Sequence, residues 1–144
     1  MVKIQDTTKI VREVVAEDTI SLKKLKISII TISILGLFFK FCYRNIVYKN
    51  NIFDGGIADS APNFFFSMFI PCIIIYYRIN QGNFITNTNI RKVTFFSMLG
   101  ILAYEFEQNF TNMTFDYGDV IATILGSLLI FFILIKIFKN KNEE

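Results

Sequence analysis

Residues 121–135 read IATILGSLLIFFILI, an apolar run without a single charged side chain. Extended from Gly118 to Phe138 it reaches the ~20 residues that a helix needs to cross a hydrocarbon core of ~30 Å. Working outward, three further segments are of the same kind. ISIITISILGLFFKFCY spans Ile27 to Tyr43, PNFFFSMFIPCIIIYY spans Pro62 to Tyr77, and VTFFSMLGILAYEFEQ spans Val93 to Gln108, turning acidic at its end. The expected fold is all-α, a polytopic membrane helix bundle with four transmembrane helices over residues 26–140. Residues 1–25 form an N-terminal tail, a mobile stretch or a short surface helix, and residues 141–144 a C-terminal tail.

Composition agrees with lipid as the solvent. Of 144 residues 53% are hydrophobic and the mean hydropathy is +0.47, too apolar for an ordinary soluble domain. The net charge of +3 does not point to nucleic acid, because the cations cluster at the ends of the apolar runs, as membrane anchors do. Lys23, Lys24 and Lys26 precede the first run; Arg78, Arg91 and Lys92 separate the second from the third; Lys136, Lys139 and Lys141 close the fourth. Cationic segments are retained in the cytoplasm, so both termini are expected there. The first run starts far into the chain and ends in bulky residues, which suits an uncleaved anchor better than a signal peptide. Cys42 and Cys72 differ in expected depth, so no disulfide is expected. There is no histidine, which removes imidazole from any catalytic or metal-binding scheme. No cofactor is implied.

The polar residues of interest lie beyond the third run, in YEFEQNFTNMTFDYGDVIATILGSLL, Tyr104 to Leu129. Glu105 and Gln108 are three apart and share a helix face, and Asp116 and Asp119 repeat the spacing. Asp116, and with it Asp119, can be read either as a helix N-cap or as part of a site. Glu105 follows SMLGILAY directly, and an ionisable group so placed needs a partner or a water-filled pocket. Lys40 and Arg44 are candidates for a structural ion pair. Gly118, Ala122 and Gly126 recur every four residues beside Asp119, Thr123 and Ser127, a pattern suited to close helix packing. If that stripe packs on Gly100 and Ala103, Asp119 approaches Glu105, and two carboxylates sharing a site compete for one proton. Asp59, Ser60 and Asn63, at the start of the second run, can complete a polar mouth, although Asn63 reads more simply as a helix-end residue. Asp59 or Ser60 is expected to cap that helix, and Pro71 to kink it.

The motif Glu105-x-x-Gln108 followed by Phe115-Asp116-x-x-Asp119 and by Ala122 and Gly126 resembles the signature of VanZ-like membrane proteins, over about the last third of the chain. DSAPNFFFSMFIPC, Asp59 to Cys72, resembles the entry to an earlier span in that family. The family usually carries an arginine shortly before the Phe-Asp pair, where this chain has Thr114. The resemblance implies a small bacterial inner-membrane protein of the cell envelope, the namesake being associated with teicoplanin resistance. Four functions compete. One is an envelope protein whose outer acidic pocket engages an envelope component, a lipid headgroup or a partner membrane protein. The second is an enzyme using Glu105 and Asp119 as acid and base or as joint cation ligands. A transporter or channel subunit and a purely structural subunit are the others. The oligomeric state is not legible.

Overall fold

The computed structural model describes the backbone of residues 2–108, 110 and 115–138, with side chains described from Thr19 onward. Thr114, Lys139, Lys141, the 141–144 tail and the side chains of the first eighteen residues lie outside that description. Every regular element among the described residues is helical: α1 (Val2–Phe38), a π-helical turn (Phe39–Tyr43), α2 (Arg44–Lys49), α3 (Ile57–Asn80), α4 (Asn87–Gln108) and α5 (Tyr117–Phe138).

Three stretches are long and apolar enough to cross a membrane: Thr19–Lys49, Ile57–Asn80 and Tyr117–Phe138. Their outward faces carry large apolar side chains, among them Ile34, Phe41, Phe66, Ile121 and Phe132, all more than half exposed. Apolar exposure on this scale, on helices of this length, calls for lipid as the medium. The third expected run, Val93 to Gln108, behaves differently. α4 has the same 22 residues as α5, yet it does not reach the apolarity of the others. Its polarity is inward: Thr94, Ser97 and Glu105 are buried, while Phe95, Phe96, Leu99, Tyr104 and Phe106 are exposed. The spacing 94, 97, 101, 105 follows one face of a helix, so α4 is greasy outside and polar inside.

α3 is the centre of the bundle. It packs most extensively on α5 and also lies against α1 and α4, while α4 and α5 form a further interface. Leu25, Ile32, Met68, Cys72, Ile75, Ile90, Ile130 and Leu134 make the apolar core. The Ser21 hydroxyl donates to the Ile137 carbonyl at 3.2 Å, tying the start of the first span to the end of the last. Cys42 is exposed and Cys72 buried, and both are free thiols.

Two details differ from expectation. The second span starts a turn earlier than Asp59 or Ser60 would have it. Gly56, at φ 85°, is the N-cap residue, a conformation that costs glycine little. The Asp54 carboxylate accepts the N–H groups of Gly56 at 3.1 Å and Ala58 at 2.7 Å, meeting donors that a helix start leaves free. The stripe Gly118, Ala122 and Gly126 faces α3, not α4. A Cβ on Gly126 would stand 2.2 Å from Ser67 Oγ and 2.4 Å from the Phe64 carbonyl oxygen, and one on Gly118 would stand 2.6 Å from Ser60 Oγ. Gly100, by contrast, has nothing within 4 Å of a Cβ, and Ala103 is exposed. The small side chains of α3, Ser60 and Ser67, match the glycines, and this pairing draws the two backbones together.

Candidate functional site

At one end of the bundle the third, fourth and fifth helices bring polar groups together around Glu105. The Glu105 side chain is only 1% exposed. Both its oxygens are held: Asn63 Nδ2 of α3 donates to Oε1 at 2.9 Å, and Gln108 Nε2, one turn along α4, donates to Oε2 at 3.1 Å. The i, i+3 spacing places Gln108 over Glu105, and the α3–α4 contact brings Asn63 across 42 positions of sequence. A buried carboxyl group would be costly without such donors.

Asp119 completes the group from α5. It stands within electrostatic reach of Glu105 and faces Asn63 and Ser60 of α3. Its Oδ1 is enclosed and has no hydrogen-bond partner among the described residues. Two acids, an amide between them and a serine hydroxyl therefore converge from three helices. Asp116 sits at the rim and serves its own helix, where its Oδ1 accepts the Gly118 N–H at 2.8 Å, the geometry of an N-cap. Phe115, just before it, stacks on Phe106 with ring centroids 5.9 Å apart, pinning the entry to α5 against the end of α4.

Asp59 and Arg44 form a neighbouring polar contact, within electrostatic reach of Asp119. Arg44 Nη2 lies 3.1 Å from Asp59 Oδ1 and donates to the Tyr48 hydroxyl at 3.3 Å, and that hydroxyl donates to the same Asp59 oxygen. Of the two readings of Glu105, the ion pair with Lys40 or Arg44 is not made. Arg44 is taken by Asp59, and Glu105 is satisfied by amides. The π turn contributes here, because its bond from the Arg44 N–H to the Phe39 carbonyl admits one residue more per turn than an α-helix.

Four buried hydroxyls lie below the acids. Thr94 and Ser97 belong to α4, Thr123 and Ser127 to α5, and none of their oxygens has a hydrogen-bond partner among the described residues. Thr123 and Ser127 are legible in the sequence as a stripe with Asp119. Thr94 and Ser97 escape sequence reasoning, although the face they share with Glu105 could have revealed them.

The fold and site describe a helical membrane protein in which a buried Glu105 and a half-buried Asp119 meet at one end of the bundle. The chain matches no protein-family profile, no curated protein and no solved structure, so the VanZ-like resemblance stands on its motif residues alone. Among the described residues no group of three or more His, Cys, Asp or Glu side chains is placed to hold a metal ion.

Proposed function

We propose that this chain is a four-span, VanZ-like protein of the bacterial inner membrane. Both termini are cytoplasmic, and its acidic pocket on the opposite side binds a cationic or hydrogen-bond-donating group of a cell-envelope component. The observation that carries this reading is Glu105, 1% exposed and gripped through both oxygens, beside an Asp119 oxygen that is enclosed and unpartnered among the described residues. The pair is held in place by other side chains, and one acceptor remains for a visitor. A fourth crossing by α4 is supported by its length, about 33 Å at 1.5 Å per residue, and by its packing between α3 and α5. Its outward phenylalanines support it as well. The distribution of Lys and Arg supports the orientation.

An enzyme that uses Glu105 as its acid or base is less well supported, since both oxygens of that carboxyl are already engaged by amides. The deciding experiment replaces Asp119 by Asn and, separately, Glu105 by Gln, and scores protein abundance apart from teicoplanin susceptibility and envelope stress. Asp119→Asn is expected to abolish the phenotype at nearly normal abundance. A phenotype that follows abundance alone in both variants would reduce the chain to a structural subunit.

A further inference from the structure

A groove of about 800 Å³ runs between α3 and α4 on the outside of the bundle. At one end, where α3 finishes and α4 begins, stand Arg78 and Lys92; at the other stand Asn63 and Glu105. The axial run from Lys92 to Glu105 is about 20 Å, longer than half of a ~30 Å hydrocarbon core. Between the ends the walls are largely apolar, with Phe66, Ile70 and Ile74 from α3 facing Val93 and Phe96 from α4 and a single hydroxyl, that of Ser97, on the α4 side.

The groove is wide because α4 narrows there. Gly100 lines it, and a Cβ at that position would meet nothing within 4 Å. This glycine is not needed for helix packing, unlike Gly126. The two cations are likewise unspent: among the described residues the only ion pair is Arg44 with Asp59, and Arg78 and Lys92 are both exposed. A long, largely apolar trough ending in two cations outside any ion pair has the chemistry of an acyl-chain slot with an anion seat.

We propose that this groove binds one anionic phospholipid, with its phosphate between Arg78 and Lys92 and an acyl chain lying along the α3–α4 trough past Gly100 towards Asn63. The arginine suits a phosphate through paired N–H donors, and the apolar walls give the chain a surface that an annular lipid, free to exchange, would not keep. The site is distinct from the acid pair and does not depend on what that pair binds. The two touch only where the trough ends at Asn63 and Glu105.

Native mass spectrometry of the purified full chain, supplied with phosphatidylglycerol or phosphatidylcholine of identical acyl chains, tests the proposal. The wild type should retain phosphatidylglycerol about fivefold or more over phosphatidylcholine, a difference of about 1 kcal/mol. Arg78→Gln with Lys92→Gln should bring retention down to the phosphatidylcholine level, while Lys23→Gln with Lys24→Gln, cations outside the groove, should leave it unchanged. Because removing loop cations can disturb membrane orientation, Gly100→Leu is the second arm. It fills the trough, leaves every charge in place and should reduce retention of the anionic lipid severalfold. Equal retention of the two lipids, an equal loss in the Lys23/Lys24 variant, or retention indifferent to Gly100→Leu would overturn the proposal. So would a second copy of the chain, in place of a lipid, that is displaced by Gly100→Leu.

Discussion

Asn63 shows how much one amide can decide. It donates to Glu105 and faces Asp119, so two acids from different helices share its attention. Replacing it by Leu leaves a buried carboxyl oxygen without its donor, at a cost of about 1–3 kcal/mol. Thermal unfolding in detergent should show a lower midpoint for Asn63→Leu, with Asn63→Gln closer to wild type if its longer amide still reaches. Gly126 is decided by space instead. A Cβ there would meet the Phe64 carbonyl oxygen at 2.4 Å, which is backbone and cannot swing aside. Gly126→Ala should destabilise by about 1–3 kcal/mol through overpacking, whereas Gly100→Ala, with open space around it, should be nearly silent in the same measurement.

Among the elements, the start of α3 is the most sharply specified. Asp54 takes two backbone N–H groups there, and Asp54→Ala should cost about 1 kcal/mol, read as a lower unfolding midpoint with unchanged helical content by circular dichroism. The apolar runs in α1, α3 and α5 were legible because long uncharged stretches admit few alternatives. The cap at Asp54 was not, since Asp59 and Ser60 before Pro62 offered an equally good local pattern and only the turn through Gly56 separates them. The approach of Asp119 to Glu105 was expected only if the small-residue stripe on α5 packed on Gly100 and Ala103. That stripe carries no label for which neighbour it meets, and it meets Ser60 and Ser67 of α3. The π turn was also invisible in the letters. It shifts Arg44 and Tyr48 by one residue, about 100° around the helix. Deleting the exposed Cys42 removes the extra residue, so it should restore regular winding and leave Arg44 and Tyr48 facing Asp59. Disulfide trapping between cysteines placed at Tyr48 and Asp59 should therefore survive the deletion, and its loss would show that the π turn does not set this register.

For the molecule as a whole the controlling fact is that α4 keeps Thr94, Ser97 and Glu105 inside and its phenylalanines outside. On the four-span reading, reporter fusions within residues 81–86 and within residues 109–114 should give opposite signals, and equal signals would remove α4 from the bilayer. Thr94, Ser97 and Glu105 make α4 a poor candidate for entering lipid by itself, because unsatisfied polar groups are expensive in hydrocarbon. Only the six residues at 81–86 separate it from α3. On the four-span reading it goes in as half of a hairpin, sheltering its hydroxyls against a helix that has already arrived, and it stays exposed on one flank until α5 follows. A chain cut short at residue 110 would hold α4 in that unfinished state, a natural target for membrane proteases, so truncation there should shorten its lifetime more than removal of the first eighteen residues does.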